Sequence, residues 1–188
     1  MLLKINCSWL RSVLFILLLL CAVQAQQSFP APPADRAQIY LVNDAGALEA
    51  LPFEAGTTPL KALAVAGSDK RSYVELKGTA AAKSIREALP RFYLFVPDAA
   101  GAHPPFLVRL SERRGARRVT AMAQKGLRGF AIDSEEIVKP HYRVLQRADG
   151  LLYMEISPRE SLTPGEYAII GADLQRIATF RVVSAASP

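Results

Sequence analysis

The chain of 188 residues carries 23 Lys and Arg against 17 Asp and Glu, a formal charge of +6, and a surplus of that size is ordinary for a solvated surface. Its two cysteines, Cys7 and Cys21, both lie ahead of residue 26. A chain cut after Ala25 therefore has no disulfide, no Cys-based metal site and no thiol nucleophile.

The first 25 residues are expected to be a signal peptide. Lys4 and Arg11 make a basic start, Val13 to Val23 is an apolar run too short to span a bilayer, and Val23-Gln24-Ala25 supplies small residues for cleavage. A lipid anchor on Cys21 is the rival reading, but Leu20 stands where a small residue is wanted. Residues 26–188 keep 21 of the 23 basic side chains, since only Lys4 and Arg11 leave. They suffice for one domain with its own core. Export to the periplasm or the outside is expected, with no membrane span after cleavage.

Residues 26–38, with Pro30, Pro32 and Pro33, read as an extended Pro-rich tether ahead of a domain over 39–185. Ile39 to Val42 is a short strand, turned at Asn43 to Gly46 and answered by Ala47 to Phe53 as hairpin partner. Leu60 to Val65 is a small-residue strand bounded by Gly67-Ser68-Asp69. In Ser72 to Lys77, Val74 and Leu76 alternate with Tyr73, Glu75 and Lys77, the pattern of a half-buried strand. Ala80 to Leu89 is the one stretch whose composition favours helix. Pro90 would end it, and its length predicts at most one helical turn or an irregular crossing.

Phe92 to Val96 is an aromatic-rich strand, leading into a Pro-rich loop to Pro105. Phe106 to Glu112 and Arg117 to Ala123 form a hairpin about Arg114-Gly115. Leu110 then faces Val119 and Val108 faces Ala121 on an apolar side, with Arg109, Ser111, Arg118 and Thr120 on the polar one. Tyr142 to Arg147 and Leu151 to Ser157 flank Ala148-Asp149-Gly150. A two-residue Asp-Gly turn would put Val144 opposite Glu155, whereas a three-residue loop puts it opposite Met154, so the apolar pattern favours three residues.

Leu162-Thr163-Pro164-Gly165-Glu166-Tyr167 has the form of a tyrosine corner, in which the phenol bonds back to the backbone upstream, here expected within Pro158 to Leu162. Leu162, Pro164, Gly165 and Tyr167 are its structural residues. Strands are expected at Tyr167 to Ile170 and Ile177 to Val183. The class is all-β: a single immunoglobulin-like β-sandwich with extra N-terminal strands.

Pro90-Arg91-Phe92-Tyr93, Leu107-Val108-Arg109-Leu110 and Leu162 to Ala168 together resemble a loose family of uncharacterised secreted bacterial proteins that end in a Leu-x-Pro-Gly-Glu-Tyr-Ala strand. The resemblance covers roughly the last two-thirds of the chain. It implies the sandwich fold and carries over no activity and no site residue.

Arg109, Arg113, Arg114, Arg117, Arg118, Lys125 and Arg128 concentrate positive charge on the hairpin and the segment after it. As a site they would hold an anionic glycan, a lipid head group or an acidic protein surface, because arginine forks match planar anions. As structure they keep a hairpin face soluble and block edge pairing, which is the preferred reading. Nucleic acid is disfavoured, since no aromatic residues interleave with the arginines.

His103 and His141 are the only histidines and neither stands near a nucleophile elbow. Asp133, Glu135 and Glu136 lack the spacing of a calcium loop. Tyr142, Tyr153, Tyr167, Phe92 and Tyr93 are more simply core and corner residues than a sugar-stacking platform. No catalytic residue, cofactor or metal is expected. The sequence leaves a binding or scaffolding module for an envelope or periplasmic protein, an anion-binding domain acting through the arginine hairpin, and a hydrolase with an unrecognised site.

Overall fold

A computed structural model describes residues 29–43, 45–56, 72–100, 102, 104–123, 130–171 and 176–184. The expected signal peptide, the start of the tether, the strand over 60–65, His103, Lys125 and Arg128 lie outside the described residues. The chain divides into two compact units, Met1–Ala31 and Pro32–Pro188. Of the first only 29–31 are described, without regular structure. The second is all-β.

Its strands are β1 (Tyr40–Val42), β2 (Leu48–Ala50), β3 (Phe53–Glu54), β4 (Ser72–Lys77), β5 (Ser84–Ile85), β6 (Phe92–Pro97), β7 (Phe106–Arg113), β8 (Ala116–Ala123), β9 (Phe130–Ile132), β10 (Pro140–Ala148), β11 (Leu151–Pro158), β12 (Gly165–Ile170) and β13 (Ile177–Val182). One sheet has the order β10-β11-β6-β1-β2. The other runs β3-β13-β12-β7-β8-β4, with β5 added on β13 and β9 on β8. Every pairing is antiparallel except β5 with β13.

The alternation along each strand dictates the layers. Leu41, Phe92, Leu94, Met154 and Ile156 of the first sheet share one buried cluster with Leu107, Tyr167, Ile169, Ala178 and Phe180 of the second. That cluster is the core of a β-sandwich. A second core, with Val74, Leu76, Val108, Leu110, Val119, Ala121, Ala168 and Ile170, lies on the other face of the larger sheet. It exists because that sheet folds back on itself. β7 and β8 pair only at the tip, from Ser111↔Arg118 to Arg113↔Ala116. Further along, residues 133–138 wedge between them: the Glu136 carbonyl accepts from Arg109 N and the Glu136 carboxylate from Thr120 N. Val138 N donates to the Leu107 carbonyl at 2.9 Å. In strand order β8 stands four places from β3, roughly 19 Å in a flat sheet. Yet Arg117 on β8 bonds Glu54 on β3. Only a folded-over sheet permits that.

Of the two readings of the Ala80–Leu89 segment, the irregular crossing is the one found, because Lys83 and Ile85 spend their carbonyls on Arg181 N of the last strand and on Val183 N just past it. Three expectations are corrected. The second hairpin keeps a two-residue Asp149-Gly150 turn with φ of 53° and 70°, the left-handed pair that a type I′ turn requires. Val144 still reaches Met154, because a bulge between Val144 and Gln146 shifts the register by one residue. The return from β1 is split: β2 pairs with β1, and after Leu51-Pro52 β3 joins the other sheet. The end of the tether is docked, with Arg36 paired to Asp149 at 2.9 Å and lying over the Phe95 ring, and Tyr40 donating to the Asp35 carbonyl.

Tyr40 and Phe95 belong, with Val42, Tyr93 and Tyr153, to a third apolar cluster, on the outer face of the five-stranded sheet. Burial there, helped by the Glu155 carboxylate, pushes the Tyr153 phenol up to about 12 and the Tyr93 phenol further.

Candidate functional site

Strand geometry scatters the arginines that the sequence groups together. Arg113 and Arg114 are exposed at the hairpin tip, where Arg114 (φ 53°) and Gly115 (φ 77°) form the two-residue turn. Arg118 lies over the Tyr73 ring, 4.3 Å from its centroid. Arg117 is 1% exposed and leaves the surface patch altogether. Its Nη2 donates to Glu54 Oε2 at 2.6 Å and to the Lys77 carbonyl at 2.7 Å. Its Nη1 donates to Glu54 Oε1 at 3.2 Å, and Nε to the Gly78 carbonyl at 3.1 Å. Thr179 Oγ1 also donates to Glu54, and Glu166 lies 3.9 Å from Arg117 and 3.4 Å from Arg181. This network ties the folded-over flap to the sheet beneath and offers nothing to a ligand.

The tip carries little stability. Replacing Arg113 and Arg114 with Ser should move the denaturant midpoint by the equivalent of no more than about 0.5 kcal/mol, as for other exposed charges. A larger loss would show that the tip is part of the folded framework.

Of the other residues singled out for chemistry, Asp133 and Glu136 have structural work. Asp133 Oδ1 accepts from Glu135 N in a turn, and the Glu136 carboxylate takes both Thr120 N and Oγ1. His141 is exposed on β10. Among the described residues no three His, Cys, Asp or Glu side chains gather as metal ligands. No helix of the described residues is long and apolar enough to cross a membrane.

Two features remain open to a partner. The first is a groove of about 320 Å³ beside the tyrosine corner, lined by Arg109, Lys139, Arg159 and Glu160 over Ile137, Leu162 and Tyr167. Of the described residues of the expected arginine patch, only Arg109 reaches it. The corner itself is formed: Tyr167 is 2% exposed and its hydroxyl donates to the Thr163 carbonyl at 2.8 Å, one residue beyond the expected window. Leu162 is buried behind it, Pro164 is exposed at the turn, and Gly165 opens β12 with φ 158°, a value side-chain-bearing residues seldom adopt.

The second feature is β10, nine residues long and the edge of its sheet. No strand among the described residues pairs with its outer side. Across to β11 and β6, Tyr142 aligns with Ile156 and Phe92, and Val144 with Met154 and Leu94, so both point to the core side of the sheet. They nonetheless stay 37% and 53% exposed, with the Tyr142 hydroxyl donating to the Pro105 carbonyl at 3.0 Å. The sequence shows the strand but not its place in the sheet.

No protein-family model, curated protein or solved structure matches this chain.

Proposed function

We propose that this is an exported, non-catalytic binding domain of the cell envelope, immunoglobulin-like in its tyrosine corner, that takes an extended segment of a partner protein along β10. The carrying observation is a nine-residue edge strand with Tyr142 and Val144 exposed on the face that elsewhere forms the core. An added strand would gain main-chain hydrogen bonds from the open edge and would cover these two side chains with its alternate residues. The bulge at Leu145 and the charged Arg143 and Arg147 limit how far such pairing runs, which is how natural edges avoid indiscriminate association. The partner is therefore expected to match His141 to Val144, ahead of the bulge, with apolar residues at alternate positions.

Capture from the native envelope with the tagged chain starting at Gln26 tests this at low and high salt. A partner held by main-chain bonds and apolar contact should persist as salt rises, because screening weakens only the charge terms. Val144→Lys should abolish capture while leaving the denaturant midpoint unchanged, since the site is exposed. Capture that disappears at high salt, or that survives Val144→Lys, overturns the edge-strand reading.

A further inference from the structure

We propose that the groove beside the tyrosine corner is a binding site for the carboxylate of an acidic sugar unit, with Arg109, Lys139 and Arg159 as its cationic donors. The three come from different parts of the chain: β7, the residue ahead of β10, and the residue just past β11. Convergence of three cations on one concavity of about 320 Å³ is unlike the hairpin tip, where neighbouring arginines simply point into solvent.

Some basic groups elsewhere on the surface are paired: Arg36 with Asp149, Lys83 with Glu49, Arg147 with Asp98 and Arg181 with Glu166. In the groove, no ion pair among the described residues engages Arg109, Lys139 or Arg159. Arg159 spends its Nε on the Pro140 carbonyl at 3.1 Å, which fixes the guanidinium and leaves its two terminal nitrogens for a ligand. Arg109 lies over the bare backbone of Gly165, where a Cβ would stand 3.5 Å from Nη2. A planar fork held in this way suits a planar carboxylate.

The walls are fixed before any ligand arrives. Arg159 N donates to the Lys139 carbonyl at 3.1 Å, Arg109 N to the Glu136 carbonyl at 2.9 Å, and Leu162 N to the Ala88 carbonyl at 2.8 Å. A preformed site spends little free energy on ordering itself. Leu162 and Tyr167 supply an apolar floor and Thr163 a hydroxyl at the rim, a mixture suited to the apolar face and hydroxyls of a pyranose. Glu160 at the rim can accept from a sugar hydroxyl. The apolar floor beside the cations favours a carboxylate carried on a pyranose over a free phosphate.

The test is titration of the chain from Gln26 with tri-galacturonate, its methyl-esterified neutral form, and inorganic phosphate, monitored by calorimetry and amide NMR shifts. The expected result is binding of the acidic oligosaccharide at low salt, with shifts centred on residues 137–139 and 159–163. Esterification should remove the binding and rising salt should weaken it. Arg109→Ser and Arg159→Ser should each reduce affinity about tenfold, the scale of one charge-assisted hydrogen bond, while Arg113→Ser with Arg114→Ser should leave it unchanged. Because Val144 does not line the groove, Val144→Lys should also bind normally. Equal binding of the neutral ester, tighter binding of phosphate, an equal loss in the tip variant, or no groove shifts at millimolar sugar would each overturn the proposal.

Discussion

Arg117→Ala should lower the stability of the domain by about 3–5 kcal/mol, read as a large fall in the denaturant midpoint at unchanged slope. The cause is what the substitution leaves behind. Glu54 loses both of its forked bonds, Glu166 loses a neighbouring cation, and the Lys77 and Gly78 carbonyls lose their donors. Glu54 is only a quarter exposed and recovers part of its hydration at most, while the buried Glu166 is left with Arg181 alone as a neighbouring cation. For a domain whose total stability is about 5–15 kcal/mol, that is at least about a fifth of the whole.

Arg117→Lys should fall between alanine and the native residue. It keeps the charge, but a point-like ammonium cannot reproduce a fork that makes two bonds to Glu54 and two to backbone. Arg117→Met combined with Glu54→Gln should cost less than Arg117→Met alone, because the second change removes the stranded carboxylate. A loss within about 0.5 kcal/mol for Arg117→Ala, the range of exposed substitutions, would place the side chain outside the core.

This network shows where a sequence stops being legible. In the hairpin register about Arg114-Gly115, Arg117 shares its face with Val119 and Ala121, both fully buried. That parity was a signal that Arg117 points inward, and grouping arginines by sequence proximity hides it. Finding its partner was beyond local reasoning, since Glu54 lies on a two-residue strand of the opposite edge. Ser72 to Lys77 was readable because one face is buried and two-residue periodicity records that fact. In the second hairpin, a three-residue loop and a type I′ turn with a bulge satisfy the same apolar alternation at Tyr142 and Val144. The pattern therefore could not choose between them. β9, three residues long, and β5, two residues paired in parallel, are too short to leave a periodic trace. The groove draws on positions 109, 139 and 159, which come together only through the inter-strand packing.

Tyr167 was legible because a corner is local chemistry, and its substitutions should separate the ring from the hydroxyl. The ring is stacked on Phe180 at 5.6 Å between centroids, and Phe180 contacts Phe92 of the facing sheet at 4.8 Å. Tyr167 thus joins the two sheets through an aromatic relay at the centre of the sandwich core. Tyr167→Ala removes that relay and opens a cavity, and should cost about 3–5 kcal/mol. Tyr167→Phe keeps the stack and deletes only the 2.8 Å bond to the Thr163 carbonyl. Thr163 is exposed, so water can replace the lost donor and the cost should be about 1 kcal/mol, the ordinary net worth of one hydrogen bond. Tyr40→Ala should cost less than Tyr167→Ala. Tyr40 sits half-buried on a three-residue strand, and its hydroxyl bond to Asp35 is exposed. Denaturant midpoints of the three variants give the order. Were Tyr40→Ala the most damaging and Tyr167→Phe indistinguishable from the native chain, the centre of the core would lie towards the N-terminal strands, and the corner would be a surface turn.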